Sequence, residues 1–482
     1  MPIEPRALAD LATIVGADVV GDPGVLVTDV THDSRRVGPG TLFVAVRGLT
    51  VDGHRFVDTA RDGGAAAVCV EDRAAAGPGP ALVVADTRLA LGPLAAAVHG
   101  RPSERLRAVG VTGTNGKTTV THLLEAVASE AGIRSAVVGT LGCRIDGETV
   151  PTGFTTPEAS DLQRLLARMV EAGVDVAALE VSSHALALGR AEGTRFAVAA
   201  FTNLSQDHLD LHGTMGEYER VKASLFTPAR AGRAVLWIDD PAGRRIADAT
   251  RLPVTTVGLG EADVSATDVV SDLEGSRFTV HAGSTSRPIH LPLLGDFNVA
   301  NALVAAACAA EIGMSWDSIA AGIAAAPPVP GRFEVVHTGR DSTIVVDYAH
   351  TPDGIAKAVA AGRRLVGDGR IVAVVGAGGD RDRAKRPLMG AAAARADIAV
   401  LTSDNPRSED PDAILDEVAA GAAGDAEVVR DPDRRRAIRL AIDRAGPGDL
   451  VLVLGKGHEQ GQEFAEETVP FDDRLVVAEE AS

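Results

Sequence analysis

The stretch 110–120, GVTGTNGKTTV, holds the residues of this 482-residue chain best suited to grip phosphate. An apolar lead-in and small residues run into Gly116-Lys117-Thr118-Thr119 and then a helix-like segment. Across Gly113, Thr114, Asn115 and Gly116, the glycines let backbone N–H groups approach an anion, and the helix that follows adds its positive dipole end. Lys117 is placed to reach the β- and γ-phosphates of a nucleotide, and Thr118 to hold Mg²⁺. The strict pattern G-x-x-x-x-G-K-[ST] asks for glycine at 111, where Val111 stands. The alternative is an ordinary glycine turn ahead of Lys-Thr.

Other side chains carry weaker signals. Glu180 ends the apolar run DVAALE, and a carboxylate at a strand end beside a phosphate loop suits a Mg²⁺ ligand. A surface acid at a strand terminus fits the pattern equally well. His184 reads as structural. His208 lies among Asn203, Asp207 and Asp210 in a polar loop, and Lys222 sits in an otherwise apolar helix, where a snorkelling lysine is the plain reading. Arg381 in GGDRDRAKRP and Arg407 in SDNPRSED follow strands on glycine or proline turns. Guanidinium matches carboxylate and phosphate bidentately, so both read as anion clamps or as solvated charged loops. In GKGHEQ, Glu459 is an acceptor suited to an amine.

The elements that must carry these residues alternate between strand-like and helix-like patterns. SAVVGTL, DVAALEV and FAVAAFTNL follow the glycine loop; TIVVDYAH, RIVAVVGAGGDRD, DIAVLTSDNPR and DLVLVLGKGHE repeat the theme later. This is an α/β chain. Polar clusters close the strands at their C-terminal ends, where ligands of open α/β sheets bind. Two joints, HGRPSERLRAVG (99–110) and AAAPPVPGRFEVV (324–336), divide it into three domains. They are a mixed α/β domain (1–106), a central doubly wound, phosphate-loop domain (107–330) and a C-terminal Rossmann-like domain (331–482). With hydrophobic residues at 45% and aromatics at 3%, the cores must be built from Ala, Val, Leu and Ile. The net charge of −19 disfavours nucleic acid and anionic membranes as partners, so an anionic ligand must meet a local basic pocket. Cys69, Cys143 and Cys308 are scattered without metal-ligand spacing, which suits a reduced, cytoplasmic protein. The opening MPIEPRALADLATIVG has acids and no long apolar core, so it does not read as a signal peptide, and no apolar run approaches the ~20 residues of a membrane span.

The set GTNGKTT, TTPE, EVSSHAL, NLSQDHLD, KASLF, GDFNVANALVA, DYAHTP, GGDRDRAKRP, DNPR and GKGHE resembles the Mur ligases over nearly the whole chain. The likeness is greatest to the diaminopimelate-adding branch, which builds the peptidoglycan stem peptide. The resemblance implies that the first domain holds a UDP-sugar peptide, the second ATP and the third the incoming amino acid. It puts Ser34 and the stretch Leu49, Thr50, Val51 at the UDP end, and Thr155, Thr156, Ser182 and Arg190 on the sugar-peptide. Leu188 replaces a glutamine found in some relatives. It implies ATP contacts at Gly113 to Thr119, Asn298, Asn301, Arg332 and Asp347. Diaminopimelate contacts fall at Arg381, Asp404, Asn405, Pro406, Arg407, Gly455 and Glu459. Glu180 and His208 become Mg²⁺ ligands together with Thr118. Lys222 becomes a carbamate, because an ammonium beside a metal is repelled while a carbamate ligates it.

The implied reaction joins meso-diaminopimelate to UDP-N-acetylmuramoyl-L-alanyl-D-glutamate through an acyl phosphate, with ATP and Mg²⁺, in a monomeric enzyme. Lys117, His208 and Lys222 are the catalytic residues. A buried Arg407 is expected to choose diaminopimelate over lysine through its distal carboxylate. The alternatives are a lysine-adding or D-Ala-D-Ala-adding Mur ligase, a folylpolyglutamate synthase, and a phosphate-loop ATPase acting as a switch or motor.

Overall fold

The computed structural model describes residues 4–48, 50–145 and 147–482. Leu49, expected at the UDP end, lies outside the described residues. Three α/β domains follow one another along the chain, each with its own principal sheet.

The N-terminal sheet has five strands, with Thr41–Val44 and Ala67–Val70 at its centre. Its neighbours alternate between two cores: Leu42 and Val44 pack on one side, Phe43 and Ala45 on the other. That alternation follows from the two-residue period of a strand covered on both faces.

The central sheet has eleven strands. Arg107–Thr112 lies in its middle, parallel to Val176–Glu180 on one side and Phe196–Phe201 on the other. Val109 and Val111 enter one core with the helices Lys117–Glu130 and Phe297–Glu311, while Ala108 enters the opposite core with Ala159–Glu171. The helix Phe297–Glu311 is apolar on nearly all sides and is buried accordingly. The doubly wound pattern stops at one edge, where Val264–Asp272, Gly275–Ala282 and Thr285–Leu291 form an antiparallel meander. The sequence reading did not separate these strands from the alternating pattern. Their outer residues are exposed, so the apolar period is diluted.

The C-terminal sheet has six strands. Thr343–Asp347, Leu450–Leu454, Ile371–Ala377, Ile398–Ser403 and Glu427–Asp431 run parallel in that spatial order. Their C-terminal ends therefore share one edge, and four of them carry the polar clusters read from the sequence. The core beneath reaches back across the second joint through Leu294 and Phe333, and Phe333 meets Phe297 edge-on at 5.4 Å. No helix among the described residues is long and apolar enough to cross a membrane.

Candidate active site

The phosphate loop opens directly off the buried strand Arg107–Thr112. Val111 pairs with Glu180 and Ala200 of the flanking strands, so the position where the strict pattern wants glycine is sheet, and the turn begins two residues later. The loop is built on Asn203. Thr114 N–H donates to its carbonyl at 2.9 Å, and Asn115 N–H to its side-chain oxygen at 3.0 Å. These two amides, expected to face a phosphate, instead shape the loop. The first helical bond is Val120 N–H to Gly116 O, and among the described residues the amides of Gly116, Lys117, Thr118 and Thr119 have no partner. They are the unpartnered donors that a helix N-terminus leaves, the kind of end that suits an anion. Gly116 is needed sterically, because a Cβ there would lie 2.2 Å from the Asn301 side-chain oxygen. Asn301 donates in turn to Asn298, and Asn298 to the Leu294 carbonyl, so both asparagines are buried against the loop.

Two ammonium groups converge on one acceptor. Lys117 Nζ donates to Gly113 O at 2.9 Å and to Thr114 O at 2.8 Å, and Lys222 Nζ donates to the same Gly113 O at 2.8 Å. Among the described residues neither has a carboxylate within 4.0 Å. Burial, with Lys117 close by, holds the Lys222 amine well below the usual lysine range, and burial lowers Lys117 as well. Lys222 is thus buried over the Tyr218 ring, not a snorkelling lysine.

Glu180 accepts from Thr140 N–H at 2.9 Å and from its hydroxyl at 3.0 Å. At this strand end Thr156 donates to Glu180 O at 2.7 Å and accepts from Ser182 N–H at 3.1 Å; Thr155 meets Thr140 at 3.2 Å. Arg190 leans on Glu158 at 2.9 Å and stacks 4.1 Å from the Phe154 ring. Thr155, Thr156, Ser182 and Arg190 therefore form one patch with Glu180. Leu188 adds a carbonyl, which accepts from Arg88 of the first domain at 3.0 Å. Ser34 opens the short turn Ser34–Arg36, which docks on helix Ala159–Glu171 through Arg36 and Asp161 at 2.6 Å.

A cleft of about 410 Å³ lies between His184 with the loop 206–210 and the C-terminal strand ends. His184, Asp207 and His208 line one side; Arg381, Asp404, Asn405, Arg407, Gly455 and Glu459 line the other. Pro406 is buried behind that wall. His184, read as structural from the sequence, packs edge-on against His208 at 4.6 Å. Burial lowers His208 to about 4, so its imidazole is neutral. Arg332 donates to the Thr118 hydroxyl at 3.0 Å and rests 4.6 Å from the Tyr348 ring. Asp347 accepts from Phe333 and Ala349 N–H at 2.7 and 2.8 Å, and burial raises its carboxyl.

Arg407 departs from expectation. It is only partly buried, and its guanidinium is already engaged by Glu463 at 2.7 Å and by Gly379 O at 2.8 Å. The residue sits at φ 53°, tied to the hairpin Gly461–Pro470 by its own N–H. Its remaining nitrogen, Nη2, is the one left for a ligand. Arg381 is exposed and donates only to its neighbour's carbonyl. Arg386 of the same motif is the buried one, clamped by Glu409 and Glu417.

Three family profiles match this chain: "Mur ligase family, catalytic domain" over residues 26–99, "Mur ligase middle domain" over 111–309 and "Mur ligase, glutamate ligase domain" over 331–457. The chain belongs to the Mur ligase family. A UDP-N-acetylmuramoyl-L-alanyl-D-glutamate–2,6-diaminopimelate ligase from Geobacillus thermodenitrificans is 46% identical, with 95% of this chain and 94% of that protein covered. The protein of the same name from Streptomyces avermitilis is 47% identical over 98% of this Mur ligase and 96% of its own length. A solved structure of a ligase of that name superposes with a TM-score of 0.72 at 32% identity, covering 99% of both chains.

Proposed function

We propose that this Mur ligase joins meso-2,6-diaminopimelate to UDP-N-acetylmuramoyl-L-alanyl-D-glutamate at the expense of ATP, in peptidoglycan biosynthesis. What carries the reading is the reach of Arg332 from the second joint to the Thr118 hydroxyl, which ties the phosphate loop to the domain whose polar strand ends line a cleft. Relatives of that name covering nearly the whole chain support it. Residues 1–106 hold the uridine end through Ser34, residues 107–330 hold ATP, and residues 331–482 hold the acceptor. The enzyme works as a cytoplasmic monomer.

The free amides from Gly116 to Thr119 and the Lys117 ammonium hold the ATP phosphates, with Arg332 adding charge from the far side. Thr155, Thr156, Ser182 and Arg190 present the D-glutamyl γ-carboxylate, which attacks the γ-phosphorus. ADP leaves and an acyl phosphate remains. The acceptor amine attacks the acyl carbon, and inorganic phosphate departs with the C–O bond electrons. A free carboxylate cannot be displaced in this way, because its leaving group is oxide. Catalysis is mainly positioning and charge neutralisation.

The residues that would hold a hard divalent ion are the Glu180 carboxylate, the His208 imidazole and the Thr118 hydroxyl, which now accept from or lie beside other partners: Thr140 donates to Glu180 and Arg332 to Thr118. Lys222 would complete that set if its deprotonated amine added CO₂ and lost a proton to form a carbamate. Mg²⁺ held there supplies charge neutralisation for phosphoryl transfer.

The deciding experiment incubates purified protein with the UDP-sugar dipeptide, ATP, Mg²⁺ and either diaminopimelate or lysine, with products read by mass spectrometry. A new amide with diaminopimelate and little with lysine is expected. ATP turnover at full rate without an acceptor, and without a new amide, refutes the reading in favour of a switch or motor.

A further inference from the structure

Lys456 was not singled out by the sequence reading, yet it is the hub of the acceptor wall. It follows the strand Leu450–Leu454, and its side chain is fully buried. Its ammonium donates to Asn405 Oδ1 at 2.8 Å and to Glu459 Oε2 at 3.0 Å, and lies 3.4 Å from Asp404 Oδ1. To reach them it passes the end of the intervening strand Ile371–Ala377. The approach is tight: a Cβ on Gly376 would sit 2.9 Å from the Asp404 amide nitrogen. Asn405 extends the network, donating to Glu459 at 3.0 Å and accepting from Glu463 N–H at 3.0 Å. Asp404, Asn405 and Glu459 all line the cleft.

We propose that Lys456 is the positioning residue that sets acceptor specificity. Its ammonium locks Asp404, Asn405 and Glu459 into one arrangement and neutralises one of the two carboxylates. Within the trio of Lys456, Asp404 and Glu459 one negative charge is left for the ammonium at the far end of the acceptor, on the same wall as the Arg407 nitrogen that takes the neighbouring carboxylate. This rests on the ligase reading above and adds to it the residue that fixes the geometry of the acceptor wall. Without Lys456 two carboxylates face each other with no cation between them, and both the geometry and the charge of the subsite change.

The test uses the full chain carrying Lys456→Gln or Lys456→Arg, with KM measured separately for diaminopimelate, ATP and the UDP-sugar dipeptide. Lys456→Gln should raise the KM for diaminopimelate about tenfold, the scale of one charged hydrogen bond, and leave the other two within about twofold of the wild type. Lys456→Arg keeps the charge and should show a smaller rise. An unchanged acceptor KM in Lys456→Gln, or equal rises for all three substrates, overturns the proposal. So does Lys456→Arg behaving as badly as Lys456→Gln. Should Lys456→Gln fail to fold by circular dichroism, Lys456→Arg decides alone: a rise confined to the acceptor supports the proposal, and a uniform change or none defeats it. Product formation by the wild-type chain reports separately on the ligase reading.

Discussion

At the phosphate loop, two lysines share the Gly113 carbonyl, and among the described residues neither faces a carboxylate within 4.0 Å. Across the cleft the C-terminal wall is the opposite case. Lys456 faces Asp404 and Glu459, Arg407 faces Glu463, Arg386 faces Glu409 and Glu417, and Arg434 is buried against Asp473 at 2.6 Å. One half concentrates positive charge where a polyanion arrives. The other is neutralised internally and keeps only selected atoms for its ligand. Binding a triphosphate needs excess charge, whereas telling one amino acid from another needs fixed geometry.

That contrast can be broken from the wall side first. Arg434 also holds Ser403 O and Leu454 O, the last residues of two strands that lead into the cleft. Arg434→Met leaves Asp473 buried without a counter-charge and should cost about 3–5 kcal/mol in urea unfolding. A loss under about 1 kcal/mol would mean that the pair is not structural. On the loop side the expectation reverses. Lys117→Ala should lower kcat by about 10²–10³-fold, with no loss of thermal stability, since the ammonium has no counter-ion to lose. A fall in Tm alongside activity would blur the distinction.

Arg407→Ala should lower kcat/KM for diaminopimelate by about a hundredfold while the KM for ATP holds. Because Glu463 already occupies part of the guanidinium, the loss should be smaller than for a wholly dedicated arginine. Lysine turned over as well as diaminopimelate by the wild type would remove Arg407 from the account of specificity.

A separate effect is on pH dependence. Burial holds His122 in the phosphate-loop helix and His458 in the wall neutral, each down to about 3. The unfolded chain takes up these protons near 6.5. Between about 6.5 and 3 the unfolded state binds more protons, so stability rises with pH and is lost as pH falls through that window. Each histidine contributes at most about 1.4 kcal/mol per pH unit. His122→Gln and His458→Gln should each flatten the fall in Tm between pH 6.5 and 4; profiles parallel to wild type would show that neither histidine drives it.

The parts of this molecule legible in the sequence are those made by contiguous residues. The loop 113–118 and the strands before it are specified by local spacing, and the polar ends of the C-terminal strands stand out against apolar runs. The antiparallel edge 264–291 was harder to see, because a half-exposed strand dilutes its own period. In the sequence Asn203 stands out only as a neighbour of His208, and nothing nearby says that it builds the phosphate loop. The buried status of Arg386, against the exposed Arg381 five residues earlier, depends on Glu409 and Glu417 arriving from the next loop and helix.

The sequence alone determined the α/β class and the position of the glycine loop between strand and helix, since backbone conformation and apolar periodicity are short-range properties. Only the tertiary structure decided which charges are paired. Lys222 has no counter-ion within 4.0 Å among the described residues, Lys456 has two carboxylates, and Arg407 has one that leaves part of its fork free. A charge buried in low dielectric takes its meaning from whatever stands within a few ångströms, and those neighbours come from strands and loops far apart in the chain.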